Sequence, residues 1–232
     1  MTDIKFRPIF PSPMGYCNFG NANKKLNKHL IEDIEHEMSE TQGRNRTFKK
    51  NKNAWQSMPD LEIRYESFSI LRSFIEEVSK PILRKSGVSE QAVMHSHVTK
   101  LWANVCLDVG AYARPHIHGS GRTLWSGVYY PKGLQEIENL DVWNEDNTIL
   151  NGYPSNIDGM LVLFDPSRTT KALVNSSLEY EEYYGAECSI VPRESLLILF
   201  PTWITHMVTP LTKKSKRYSI CLLYTSPSPR DL

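Results

Sequence analysis

The residues in this sequence best suited to chemistry are three histidines, His116, His118 and His206, and the pair Arg217 and Ser219. His116 and His118 are separated by one residue in a segment of β-like composition, and side chains at positions i and i+2 of a strand face the same way. Both imidazoles can therefore reach one point and offer neutral ring nitrogens to a divalent transition metal. Arg217 and Ser219 also share strand parity, so a guanidinium and a hydroxyl face one side.

A histidine pair alone is more often structural than metal-binding, and a chain with seven histidines produces some pairs by chance. The full combination is more specific. It consists of His-x-His, a distant histidine in an apolar segment, and Arg-x-Ser beginning eleven residues after His206. The alternative for Arg217 is a solvated side chain within the basic segment 213–217.

These residues and several short segments resemble the iron(II)- and 2-oxoglutarate-dependent oxygenases, in particular the phage and bacterial branch related to prolyl 4-hydroxylases. The family pattern is His-x-Asp/Glu, a remote histidine and an arginine shortly after it. The resemblance covers roughly residues 4–220. The other matching segments are Trp55-Gln-Ser57, Trp102-Ala-Asn104, Ser126-Gly-Val-Tyr-Tyr130, Phe164-Asp-Pro166 and Leu199-Phe-Pro-Thr-Trp203.

The resemblance implies Fe(II), 2-oxoglutarate and O2 as cofactors, with ascorbate as a reductant in vitro. It aligns His116 with the first metal ligand and His206 with the second, and it aligns Arg217 and Ser219 with the clamp for the distal carboxylate of oxoglutarate. The implied reaction is a hydroxylation that couples decarboxylation of oxoglutarate to oxidation of a substrate C–H bond. Three further candidates for the site are Tyr112, Tyr130 and Asn104. Tyr130 is a candidate for a hydrogen bond to oxoglutarate, and Asn104 for orienting the co-substrate or a bound water.

His118 departs from the family pattern, because it stands where the family has a carboxylate. Three neutral imidazoles would leave a bound ion with its full double positive charge, which a carboxylate would halve. We expect such an ion to hold the oxoglutarate anion well and to be harder to oxidise. Direct ligation by His118 is the favoured interpretation; the other is that His118 lies outside the ligand set and two histidines suffice.

Two other functions remain open from the residues. One is a three-histidine cupin dioxygenase that acts on a thiol without oxoglutarate and uses Arg217 to bind a substrate carboxylate. The other is a non-catalytic cupin-like module that holds zinc or no metal. The oxidised substrate is equally open, since a prolyl peptide, a free amino acid, a nucleobase and a small metabolite all fit the pattern.

Composition is typical of an ordinary globular protein, with 40% hydrophobic and 23% charged residues in 232. The net charge of +1 gives no overall field that would recruit nucleic acid or a membrane, so the expected partner is a small-molecule or peptide substrate. Four scattered cysteines without a Cys-x-x-Cys pair, and a start without a signal-peptide core, favour a reducing cytoplasm.

Periodicity predicts helices first and strands afterwards. Helical spacing is present over 24–40 and 61–80, and Pro81 is expected to end or kink the second helix. From residue 96 short strands punctuated by Gly and Pro predict a mainly β, α+β fold: a double-stranded β-helix, the cupin-like jelly roll, with helices packed on one sheet. The predicted strands cover 98–108, 124–130, 140–144, 160–164, 188–191, 196–200, 204–208 and 218–222.

We predict one oxygenase domain over 1–220, with helical support in 1–95 and the jelly-roll core in 96–220. The segment 41–54, which has five basic residues in nine positions, is a solvated loop or a basic rim. The acidic stretch 168–187 is an excursion between strands that forms a lid or a surface decoration. Residues 221–232 resemble a translated sequencing adapter, which would indicate an environmental assembly and a non-native tail, or else form a natural disordered tail.

Overall fold

The computed structural model describes residues 12–41, 51–118, 123–134, 149–151, 158–167 and 186–225. Four α-helices lie in the first half of the chain: α1 (Lys24–Glu40), α2 (Leu61–Arg64), α3 (Glu66–Lys85) and α4 (Glu90–Met94), with a short 3-10 turn at Gly20–Asn23 before α1. No described helix has both the length and the apolar character needed to span a membrane.

The strands form two six-stranded sheets. The first has the order β1-β10-β6-β12-β4-β3 and the second β2-β5-β11-β8-β9-β7, and every pairing is antiparallel. The strand bounds are β1 Gly15–Asn18, β2 Asn51–Lys52, β3 Ala54–Gln56, β4 His97–Cys106, β5 Tyr112–His116, β6 Thr123–Tyr130, β7 Ile149–Asn151, β8 Leu161–Phe164, β9 Glu187–Ile190, β10 Leu196–Pro201, β11 Thr205–Val208 and β12 Arg217–Thr225.

The helices cover one face of the first sheet, which is the arrangement predicted from the sequence. Strand β12 shows the reason, because its side chains alternate with period two. The even-numbered residues Tyr218, Ile220, Leu222 and Tyr224 pack in the core that also contains Leu71 and Ile75 of α3. The odd-numbered positions turn to the space between the sheets, where a smaller apolar cluster joins strands of both.

Polar residues that α1 buries are matched by partners on other elements. Asn27 donates to the Ser195 hydroxyl at 2.8 Å, and Tyr129 donates to the Asn27 amide oxygen at 2.7 Å. Glu37, 2% exposed, accepts hydrogen bonds from Arg64 and Tyr65. These bonds satisfy groups that would otherwise be costly to bury, and they hold α1 beside β6 and α2.

The helix predicted over 61–80 differs from the structure in two ways. It is interrupted at Tyr65, whose extended backbone separates α2 from α3. It also does not end at Pro81, since α3 continues through this residue to Lys85. Proline removes one intrahelical hydrogen bond, but Leu83 beyond it is fully buried in the core, and this packing favours continuation of the helix.

Strand β12 also extends past the boundary at residue 220 that the sequence suggested, and its residues up to Thr225 pair with β4 and β6. Strands β2, β3, β5 and β7 and helix α4 were not predicted as separate elements. The expected strand 140–144 and nearly all of the acidic stretch 168–187 lie outside the described residues, as does most of the basic segment 41–54.

Candidate metal centre and anion site

Two neighbouring strands of the second sheet bring the three histidines together. His116 ends β5, and His206 lies in β11, directly opposite it in the antiparallel register. Beyond β5, the backbone N–H of His118 donates to the Thr202 carbonyl at 3.1 Å. This bond ties His118 to the turn that precedes β11. The pairing of β5 with β11 thus brings His116 and His206, about ninety residues apart in sequence, next to each other.

The ring nitrogens of the three histidines converge. One nitrogen from each imidazole lies within 4.8 Å of those of the other two. The Nε2 atoms of His206 and His118 are 3.2 Å apart, and the ring centroids of His116 and His206 are 4.3 Å apart. Among the described residues no Asp or Glu belongs to this group.

Backbone carbonyls fix which nitrogen of two of these rings points to the shared space. The Nδ1 atom of His116 lies 2.7 Å from the Arg114 carbonyl oxygen, and that of His206 lies 3.0 Å from the Ile204 carbonyl oxygen. A carbonyl can only accept, so each Nδ1 carries the proton and donates it. The Nε2 atoms of both rings then carry the lone pair, as required of a metal ligand whose other nitrogen is held by a backbone partner.

Burial keeps His206 neutral. Its side chain is 5% exposed, and its pKa is lowered to about 3, chiefly by loss of solvent and also by the positive charge that His116 and His118 acquire on protonation. Phe200 lies against His206 at 4.9 Å between ring centroids, and Trp102 lies against His118 at 5.7 Å. These ring contacts contribute to the burial of His206, and electrostatic interactions are stronger at a buried site than in water.

Arg217 is buried in the first sheet, at the start of β12, with 3% of its surface exposed. Its Nε donates to the Gly159 carbonyl at 2.6 Å, one terminal nitrogen donates to Ser219 Oγ at 3.1 Å, and the other donates to the Tyr130 hydroxyl at 3.2 Å. In the described ranges it forms no ion pair with a carboxylate. A buried guanidinium without an anion is unfavourable, so this position is suited to an anionic ligand.

Two thiols near Arg217 are neutral and do not serve as its counter-ions. Burial raises the pKa of Cys221 to about 12, and burial likewise raises the pKa of Cys106. Cys221 Sγ accepts a hydrogen bond of 3.2 Å from the Asn104 amide. Burial also raises the pKa of Tyr130 to about 12, so its hydroxyl stays protonated beside the guanidinium.

One cavity of about 250 Å³ joins the histidines to Arg217. All three imidazoles line it, and so do Arg217 and Ser219. Asn104 also lines it, because β4 pairs with β12 in a register that places Asn104 opposite Ser219. Tyr130 does not line the cavity. It contacts the site only indirectly, by accepting a hydrogen bond from Arg217.

The structure therefore brings together every residue that the sequence singled out for the site. It adds residues that sequence reasoning did not assign to the site: Trp102, Phe200, Cys106, Cys221, Gly159 and Lys100. Strand parity could have indicated some of them, since cavity residues recur at every second position of β4. Trp203 is half exposed and Trp125 is buried, and neither lines the cavity.

Residues 100–222 match the family described as "Putative 2OG-Fe(II) oxygenase", which is more than half of the chain. Among curated protein sequences none matches the chain. The family match includes His116, His118, His206 and Arg217.

Solved structures with a similar fold include several enzymes. A prolyl 4-hydroxylase from Pseudomonas putida superposes with a TM-score of 0.55 at 15% identity over 94% of each chain. A prolyl hydroxylase from Trichoplax adhaerens, in complex with a hypoxia-inducible factor peptide, gives 0.57 at 15% identity over 93% of this chain and 84% of that one. HygX from Streptomyces hygroscopicus, with nickel and 2-oxoglutarate bound, gives 0.55 at 10% identity over 93% and 83%. At these identities the similarity concerns the fold.

Proposed function

The chain belongs to the 2-oxoglutarate- and iron(II)-dependent oxygenases, and we propose that it hydroxylates a C–H bond of a small molecule or peptide. We further propose that His116, His118 and His206 are the ligands of its iron. The observation that carries the proposal is one cavity with two features. Converging imidazole nitrogens lie on one wall, and a buried arginine without a carboxylate partner in the described ranges lies on the other.

The donor set fits Fe(II). Imidazole nitrogen suits iron, and three ligands from one side leave positions for a chelating 2-oxoacid and for O2. The backbone carbonyls that hold Nδ1 of His116 and His206, and so leave the lone pair on Nε2, support this assignment. With His118 as the third ligand no protein carboxylate among the described residues offsets the charge of the ion, so an anionic co-substrate is favoured.

The opposite wall fits the far end of oxoglutarate. The terminal nitrogens of Arg217 carry four N–H groups, and two of these are donated to Ser219 and Tyr130. The remaining N–H groups form the fork that a carboxylate matches in two parallel bonds. The Gly159 carbonyl and the Tyr130 hydroxyl fix the orientation of the guanidinium, and Ser219 stands beside it to donate a further hydrogen bond.

When bound, iron and oxoglutarate supply the oxidising chemistry that unactivated C–H bonds require. The contribution of the protein is binding and orientation. Arg217 and Ser219 hold the distal carboxylate, Asn104 orients the co-substrate from β4, and the backbone carbonyls of Arg114 and Ile204 hold two imidazoles in place. Phe200 packs against His206, and Trp102 packs against His118.

The direct test is anaerobic loading with Fe(II), followed by oxygen, ascorbate and isotopically labelled oxoglutarate, with succinate measured by NMR. We expect succinate to form slowly without substrate and only when both oxoglutarate and iron are present. Oxygen uptake with a thiol and without oxoglutarate would instead support the three-histidine dioxygenase. Stoichiometric zinc with no turnover would support the non-catalytic module. The family match favours the oxoglutarate-dependent reaction over both.

Replacing His118 with aspartate should preserve or increase affinity for Fe(II), because a carboxylate at a ligand position adds a negative charge beside the ion. Titration calorimetry under nitrogen measures the constant, and His118→Ala is the matched control, which should lose affinity. Unchanged affinity in both variants would place His118 outside the ligand set.

Replacing Gly159 with alanine should weaken oxoglutarate binding severalfold. Gly159 has φ +64°, and an added Cβ would lie 3.0 Å from Cδ of Arg217 and equally close to Leu211, so the Arg217 side chain would have to shift slightly. The control is Gly87→Ala, at φ +90° with open space around it. Both variants should lose about 1–2 kcal/mol of stability from backbone strain, measured by urea unfolding, and only Gly159→Ala should change the oxoglutarate constant. Equal oxoglutarate dissociation constants in the two variants would show that Gly159 does not help to position Arg217.

We propose a reducing compartment such as the cytoplasm as the location, supported by four free cysteines. A single domain remains our prediction, and the pairing of β12 carries its last strand past residue 220 to Thr225.

A further inference from the structure

We propose that the substrate of this enzyme carries an oxyanion, a carboxylate or a phosphate, that pairs with Lys100 at the outer end of the cavity. The inference rests on the proposed function and adds the chemical class of the substrate.

The register of β4 and β12 orders the residues along the wall of the cavity. Cys106 lies opposite Arg217, Asn104 opposite Ser219, Trp102 opposite Cys221, and Lys100 opposite Leu223. Members of all four pairs line the cavity. Since a strand rises about 3.4 Å per residue, Lys100 lies about 7 Å beyond Trp102 and about 20 Å from Cys106 at the arginine end.

The histidines face this wall from the second sheet, at a level between the two cations. Trp102 is the strand residue in contact with His118, at 5.7 Å between ring centroids. An oxoglutarate that spans from the histidines to Arg217 therefore fills the inner part of the cavity. The part from Trp102 to Lys100 is left for the second reactant. Lys100 is exposed to solvent, as a residue at an entrance should be.

The cavity lining carries an excess of positive charge. None of the described lining residues is acidic, whereas Arg217 and Lys100 are cationic. A divalent ion and the oxoglutarate dianion cancel each other in charge, so the two cationic side chains remain in excess when both are bound. A recess lined by one sign of charge concentrates the field and attracts the opposite sign.

Lys100 also differs from lysines whose charge is already matched. Lys28, Lys80 and Lys216 each form an ion pair with a glutamate. Within the described ranges no carboxylate lies within ion-pair distance of Lys100. An oxyanion on the substrate can therefore pair with Lys100 without displacing a described partner, whereas a cationic substrate meets repulsion from both ends of the cavity.

The test uses the full chain loaded with Zn(II) and saturating oxoglutarate, so that no turnover occurs and the inner site is filled. Ligand-observed NMR titrations compare matched pairs: the N-acetyl derivatives of proline, leucine and phenylalanine against their primary amides, and phenyl phosphate against phenol. We expect at least one oxyanion to bind about fivefold more tightly than its neutral partner, the size of a well-placed exposed ion pair. Preference for the carboxylates or for the phosphate identifies which oxyanion is recognised.

Three variants locate the effect. Lys100→Gln should abolish the preference, Lys100→Arg should retain it, and Lys25→Gln, which alters an exposed lysine of α1 away from the cavity, should leave it unchanged. Equal binding within every pair, a preference that survives Lys100→Gln, or no oxyanion binding at millimolar concentration would each overturn the proposal. Failure of Zn(II) or oxoglutarate to bind would instead overturn the proposed function.

Discussion

Replacing His206 with alanine should abolish stoichiometric Fe(II) binding, with a loss of affinity greater than about 100-fold. Even removal of a hydrogen-bonding partner of a metal ligand costs about 10–100-fold, and His206 would be a ligand itself. It is also the most enclosed of the three histidines, so no water-exposed side chain can take its place. Titration calorimetry under nitrogen measures the constant, and elemental analysis of loaded protein measures the occupancy.

The matched control is His29→Ala on α1. His29 is exposed, and its described ionic contact is with Glu32, so its replacement should leave iron binding unchanged. Urea unfolding of both variants without metal separates loss of a ligand from loss of fold. Full iron occupancy in a folded His206→Ala protein would show that this residue is not a ligand. The proposed centre would then have no ligand from β11.

Replacing Arg217 with alanine should weaken oxoglutarate binding by about 2–3 kcal/mol, which is the loss expected when a charged group no longer receives its hydrogen bonds. In the absence of other changes the dissociation constant rises roughly 30- to 150-fold. Metal affinity should not change, because Arg217 lies on the opposite wall from the histidines. Calorimetry with Zn(II)-loaded protein measures both constants.

Arg217→Lys tests the geometry of the contact, because it keeps the charge but removes the planar fork, and we expect an intermediate constant. It also reduces the risk that an alanine leaves the Gly159 carbonyl and the Tyr130 hydroxyl without partners. Lys214→Ala, an exposed change three residues earlier in the same segment, is the control for charge alone. An oxoglutarate constant unaltered in Arg217→Ala would refute the clamp and favour Arg217 as a structural residue.

The helical and strand regions were predictable where local periodicity was strong. Helix α1 ends where its apolar spacing ends, and β6, β10 and β11 lie within two residues of their predicted bounds. Prediction was incomplete where packing decides the outcome. The sequence allowed the helix to end or to kink at Pro81, and α3 continues past this residue to Lys85, with Leu83 buried. The short strands β2, β3 and β7 contain only two or three residues each, too few for an alternating pattern to be seen.

For the site, sequence by itself determined which residues share a face. Side chains two residues apart in an extended chain point the same way, which is a local property. This places His116 with His118 on one face, and Arg217 with Ser219 on another. Tertiary structure alone decided which of these faces meet. The pairing of β5 with β11 sets His206 opposite His116, and the pairing of β12 with β4 sets Asn104 opposite Ser219 and places Lys100 at the far end from Arg217. Such registers depend on packing between distant segments, and no local pattern in the sequence contains them.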